Sequence, residues 1–357
     1  MTNVMPSSTP SAQLPRLVVL TTGGTIVSSG DSATQMTGYS IRGVTVDTLL
    51  KGVSGLDQLA TLTVEPVANI DSSSMTSSVW MALARHVQLF ADRDDVDGIV
   101  ITHGTDTLEE TAYFLSLVVR TAKPIVFTGA MRPSTAMSAD GPINLYNAVR
   151  IAANPTSAGR GVLVALNDAI LSARDATKTH PTNVATFRSM DAGLLGTVAG
   201  EEILWLNRAE KRHNPDVLLS VKDIDEWLNV HQTFPRVDIV VTHVDADDVM
   251  VNAALAAGAQ GIIHAGSGNG SIHEGTEGAL FAAAEKGTLV VRASRTGSGA
   301  CVSGMAAWQD AGFIPSLTLN PQKARLLLQL VIMASWVKDI ENYLDKVRFA
   351  LDVFHEF

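Results

Sequence analysis

Short apolar runs rich in β-branched residues recur along the chain, each followed by a Gly/Ser/Thr/Asp loop and then an Ala/Leu-rich stretch with helical spacing. Residues 17–20 run into TTGGT, and 98–101 into THGTDT ahead of a helix expected over 108–120. Residues 124–127 run into TGAMRP and 161–166 into NDA. The rhythm resumes at 237–241, which lead into THVDADD and an alanine-rich helix to Ala257. Residues 261–264 then lead into AGSGNGS and 289–292 into ASRTGSG. Continuous apolar strands alternating with helices predict an α/β fold whose mostly parallel sheet is flanked by helices.

Between the two sets lies a less regular stretch, 207–235, with Pro215, Pro235 and several charges, and it reads as a linker. That divides the chain into a larger N-terminal α/β domain, 17–206, and a smaller C-terminal α/β domain, 236–357. Residues 1–16 are rich in Ser, Thr and Pro and carry no apolar core of a signal peptide, so they read as a disordered tail. The expected compartment is the cytoplasm, or the periplasm if a leader has been removed.

Hydrophobic residues make up 46% and charged ones 17%, enough apolar surface for two cores. The net charge of −10 argues against nucleic acid or an anionic membrane as partner, and no apolar run reaches the length of a bilayer span. Cys301 is the single cysteine, which excludes an internal disulfide. A small polar substrate is left open.

In open parallel sheets ligands bind beyond the carboxyl ends of the strands, which places Thr25, Thr105, Asp106 and the TGAMRP loop on one rim. Paired glycines in TTGGT permit a sharp turn, and Thr25 just past it offers a hydroxyl for nucleophilic attack. A simple tight turn, a capping threonine and half of a phosphate loop are competing readings. In HGTDT, Asp106 suits an α-ammonium group and Thr105 supplies a second hydroxyl, although helix capping explains the same residues. Lys178, in ARDATKT, would act as a base only if held beside them. The histidines show no metal-ligand spacing, so neither a catalytic metal nor a cofactor is expected, and no GxSxG elbow is present.

TTGGTI, HGTDTLEETAYFL, TGAMRPSTAMSADGPINLYNAV and LNPQKARLLLQL together closely resemble the bacterial L-asparaginases, particularly the type II branch, over about residues 17–330. The resemblance implies an amidohydrolase that cuts the side-chain amide of L-asparagine through a threonine nucleophile. It also implies a homotetramer of intimate dimers with active sites between subunits. By motif position Thr25 matches the primary nucleophile and Tyr39 its activating tyrosine, while Thr105, Lys178 and Asp106 match the second threonine with its lysine and aspartate. Ser72 matches the residue holding the substrate α-carboxylate, Asp106 also matches the residue that binds the α-amino group, and the resemblance has the backbone around Ala130 receive the amide.

Three positions depart from the type II pattern. Ser73 stands where Gln or Glu is usual near the ammonium. Ser271, contributed by the neighbouring subunit, stands where strict asparaginases carry Asn and dual glutaminase-asparaginases carry Ser. The stretch CVSGMAAW lacks the carboxylate expected from that subunit, which leaves the relay through Tyr39 without its partner. L-Glutamine is therefore an alternative substrate. An ammonia-feeding amidotransferase subunit and a non-catalytic amino-acid sensor are the further alternatives, with a scaffold ranked last.

Overall fold

The structure, a computed structural model, describes residues 13–35, 46–209 and 217–357. Tyr39 lies outside the described residues. In chain order the strands are β1 (Arg16–Gly23), β2 (Thr61–Ile70), β3 (Gly98–Thr102), β4 (Ile125–Thr128), β5 (Val162–Leu166), β6 (Ala169–Ser172), β7 (Thr177–Lys178), β8 (Phe187–Arg188), β9 (Gly196–Ala199) and β10 (Glu202–Trp205). They continue as β11 (Val237–Val241), β12 (Gly261–Gly266), β13 (Leu289–Ser294) and β14 (Ile314–Pro315). The helices are α1 (Val46–Gly52), α2 (Leu56–Leu59), α3 (Ser77–Ala91), α4 (Leu108–Val118), α5 (Gly141–Ala153) and α6 (Val221–His231). The chain closes with α7 (Val249–Ala256), α8 (Glu274–Glu285), α9 (Ala306–Asp310), α10 (Pro321–Val337) and α11 (Tyr343–Glu356).

Among the described residues the large sheet runs β10-β9-β6-β5-β4-β3-β1-β2, and a smaller all-parallel sheet runs β11-β12-β13-β14. From β2 through β5 the large sheet is parallel. It then turns antiparallel at the NDA segment, which the hydrophobic pattern alone reads as another loop before a helix. Asn167 and Asp168 both adopt left-handed φ, 49° and 62°. That is the backbone of a two-residue hairpin, so β5 folds straight back into β6. Strand β2 is half-exposed along its length and contains Pro66, which an edge strand tolerates because its outer N–H positions need no partner.

The helix expected over 108–120 ends at Val118. Within 207–235, read from sequence as an irregular linker, α6 forms behind a capping box in which Ser220 and Asp223 each accept from the other's backbone N–H. Its buried residues Val221, Ile224 and Trp227 join the main core.

That core is continuous across both sheets. Phe114 and Leu117 of α4 share it with Leu326, Leu330 and Val331 of α10, with Val353 of α11, and with Ile263 and Val291 of the small sheet. A second cluster lies under α5 on the other face of the large sheet (Val19, Val100, Val126, Leu145), and a third under α8 on the outer face of the small one (Ile262, Val290, Leu280). No helix among the described residues is long and apolar enough to cross a membrane.

Candidate active site

Strand order 2-1-3-4-5 reverses direction between β1 and β3, so the loops leaving their carboxyl ends diverge and open a crevice. TTGGT leaves β1 and HGTDT leaves β3 at that point. The two loops are pressed together backbone to backbone. Gly24, at φ 91°, lies so close that a Cβ there would come within 2.5 Å of Gly104 Cα. A Cβ on Gly104 would in turn meet Ser72 Oγ at 2.6 Å, and one on Gly129 would meet Thr105 Cγ2 at 3.3 Å. Only glycine fits these places, and their closeness brings four loops around one opening.

Thr25 opens a short 3-10 turn one residue past the Gly24 contact. The segment behind it is stitched to the TGAMRP loop: Ser134 N–H and Oγ both donate to the Ser28 carbonyl, and Met137 N–H donates to the Ala33 carbonyl. Buried Ala130 sits in that loop, which Asp140 shapes by accepting from the N–H groups of Met131 and Arg132. Asn144 donates to the Gly129 carbonyl at 3.0 Å.

Ser72 is buried after β2, and its Oγ accepts from Asp106 N–H at 3.2 Å while Thr107 Oγ1 donates to its carbonyl. Ser73 is exposed, and its N–H and hydroxyl both donate to Asp71. Lys178 Nζ donates to Thr105 Oγ1 at 2.9 Å and to Asp106 Oδ1 at 2.5 Å. The Lys178 side chain is 15% exposed and that of Asp106 58%, so the ammonium lies beneath the pair and the carboxylate faces the opening. His103 lies behind the loop, fully buried, its Nδ1 donating to the Gly104 carbonyl at 2.7 Å. Burial holds its pKa down at about 4, so it is a neutral strut.

Ser72, Thr105, Asp106 and Lys178 are thus joined by direct hydrogen bonds, with Thr25 and Ala130 on adjoining loops. Ser271 lies elsewhere, exposed in the turn after β12 that is closed by its bridge to Ser267. Sequence reasoning missed Glu109, the second residue of α4. It is buried, and its Oε2 accepts from Lys178 N–H at 2.6 Å. Its Oε1 accepts from the side chains of Asn320 and Gln322, which stand at the start of α10 in the small-sheet half. The Asn-Pro pair at 320–321 signals a helix start but says nothing of that contact. Among the described residues no three His, Cys, Asp or Glu side chains converge on a point that could hold a metal ion.

A threonine, a lysine and a carboxylate in mutual contact at the switch point of a parallel sheet form a grouping suited to attack on an amide, and comparison with known proteins gives the class. The family model described as asparaginase, N-terminal, matches residues 16–211, and that of the glutaminase/asparaginase C-terminal domain matches 236–342. The chain belongs to the asparaginase family and is an amidohydrolase. It is 46% identical over 331 residues to L-asparaginase 2 of Escherichia coli, covering 92% of each chain. It is 42% identical to a glutaminase-asparaginase of Pseudomonas fluorescens, covering 90% of this chain and 87% of that one. The structure of a probable cytoplasmic L-asparaginase from Campylobacter jejuni superposes with a TM-score of 0.86 at 40% identity, over 96% of this chain and all of that one.

Proposed function

We propose that this chain hydrolyses L-asparagine to L-aspartate and ammonia through a β-aspartyl ester on Thr25. The observation that carries the reading is the placement of Lys178 Nζ between Thr105 and Asp106. A free amino acid presents two charged ends, and the opening offers a match for each. The outward carboxylate of Asp106 takes the α-ammonium. A Ser72 hydroxyl that accepts from Asp106 N–H can donate its own proton to the α-carboxylate. Thr25 Oγ attacks the side-chain carbonyl carbon, its proton passes to the departing nitrogen, and ammonia leaves as the ester forms. Water then attacks the ester and returns the proton to Thr25. Tyr39 is assigned to activating Thr25 on the resemblance alone. Thr105, with Lys178 as base, is the nucleophile in the competing order of steps.

A dual activity on L-glutamine is the second reading. It is favoured by Ser271 and by the similarity to enzymes named glutaminase-asparaginase. One methylene is worth only about 1–3 kcal/mol of discrimination in a pocket. The proposed assembly is a homotetramer in which Ser271 serves the neighbouring subunit's site. Exposed apolar side chains such as Val244, Val249 and Met250 are suited to burial against another copy. The proposed compartment is the cytoplasm, which fractionation of the source cells checks. The division into 17–206 and 236–357 accords with family matches that end at 211 and resume at 236.

Ammonia release measured in parallel with L-asparagine and L-glutamine tests the substrate. Activity on asparagine alone supports the first reading, and comparable activity on both moves the assignment to the dual enzyme. Folded protein that binds aspartate but turns over neither is a sensor. Thr25→Ala is expected to abolish turnover while aspartate binding persists, and near-wild-type hydrolysis would refute the nucleophile.

A further inference from the structure

We infer that the first turn of α10, from the small-sheet half of the chain, is the device that positions Lys178, with Lys323, Asn320 and Glu109 as positioning residues. The inference rests on the proposed role of Lys178 beside Thr105.

Lys323 is fully buried, and its ammonium donates to three carbonyls, those of Ala173 at 3.1 Å, Arg174 at 2.7 Å and Ala176 at 2.5 Å. All three belong to the short loop that delivers Lys178. Asn320 caps α10 by accepting from Lys323 N–H, while its Nδ2 donates both to Thr177 Oγ1 at 2.9 Å and to Glu109 Oε1 at 3.0 Å. Glu109 closes the circuit by accepting from Lys178 N–H. Three carbonyls between 173 and 176, the Thr177 hydroxyl and the Lys178 N–H therefore lead to one turn of helix or to the carboxylate that turn holds.

This arrangement is costly, which argues that it is specific. A lysine in the first turn of a helix opposes the macrodipole, and an ammonium out of water carries a large desolvation penalty. Burial holds the Lys323 pKa down at about 8, offset by the nearby charges of Glu109 and Asp175 and reinforced by that of Arg174. An apolar residue would fill the space, but it could not hold three carbonyls of one loop. Fixing the backbone on both sides of Thr177 leaves Lys178 little freedom except its own side-chain torsions, and its Nζ is held by Thr105 and Asp106.

Steady-state kinetics on the full-length enzyme test this. Asn320→Ser keeps a good helix cap but is too short to reach Glu109, and Glu109→Gln replaces one acceptor by a donor facing donors. Both are expected to lower kcat for L-asparagine about 10- to 100-fold, the scale of a misplaced catalytic group, with KM changed less than about threefold and aspartate binding retained. Lys323→Met leaves three carbonyls without their donor and is expected to cost folding as well, so the serine variant carries the test. In a Lys178→Met background Asn320→Ser is expected to add nothing further. Unchanged kcat in folded Asn320→Ser and Glu109→Gln, or full additivity with Lys178→Met, overturns the inference. A Lys178→Met enzyme of wild-type rate instead overturns the role of Lys178 itself, and the two failures are distinct.

Discussion

His103, just past β3, and His264, inside β12, are imidazoles whose pKa is pushed down to about 4. Burial is the main cause for both, and the Arg292 guanidinium adds to it for His264. Both are neutral in the fold and ordinary, near 6.5, once unfolded, so the unfolded chain takes up protons first as pH falls. Their contribution to stability is complete above about pH 6.5 and is lost as pH drops toward 4, at up to about 1.4 kcal/mol per pH unit for each. The urea midpoint is expected to fall over that window. His264→Leu, which removes ring nitrogens that have no hydrogen-bond partner among the described residues, should flatten the slope. A pH profile identical to wild type would show that His264 does not titrate with unfolding. Neither histidine's state is legible in sequence, where both look like polar residues near loops.

The loops meeting at the switch point depend on glycine, and three substitutions separate the reasons. Gly24→Ala adds a Cβ 2.5 Å from the Gly104 backbone at a left-handed φ of 91°. Gly104→Ala drives a Cβ into Ser72. Each is expected to destabilise by about 1–3 kcal/mol and to cut ammonia release by more than the loss of folded protein accounts for. Gly258→Ala, at φ 83° with open space around it, should cost only about 1–2 kcal/mol from backbone strain and leave kcat unchanged. Denaturation curves with kinetics on the same preparations check all three, and equal kinetic effects across the set would show that the loop contacts are incidental. At this scale the buried strands were legible because parallel strands covered on both faces are continuously apolar. β2 was not, because an edge strand half-exposed to solvent has no such run. α6 was hidden by surrounding charges, although its capping box was present.

Across the whole molecule α10 lies between the two sheets and belongs to the core of both. Leu330→Ala, at a fully buried site, is therefore expected to destabilise the protein by about 2–5 kcal/mol in a single step. Far-ultraviolet dichroism and tryptophan fluorescence should follow one coincident transition, since Trp80 reports on one half and Trp308 on the other. Two separated transitions would mean that the halves fold independently. The assembly state is checked by sedimentation of the purified protein, with a tetramer as the expected species.

The sequence by itself determined the alternation of strand and helix, the position of the reactive loops at strand ends, and the motifs that mark the family. These are local properties, expressed within a dozen residues. Only the tertiary structure decided that Glu109 holds the Lys178 N–H, 69 positions away, and that Lys323 grips the Ala176 carbonyl 147 positions earlier. It also decided that NDA is a hairpin and that Gly24 rests on Gly104. Such contacts arise from how helices and sheets pack, and no periodicity along the chain encodes which buried charge will face which carbonyl.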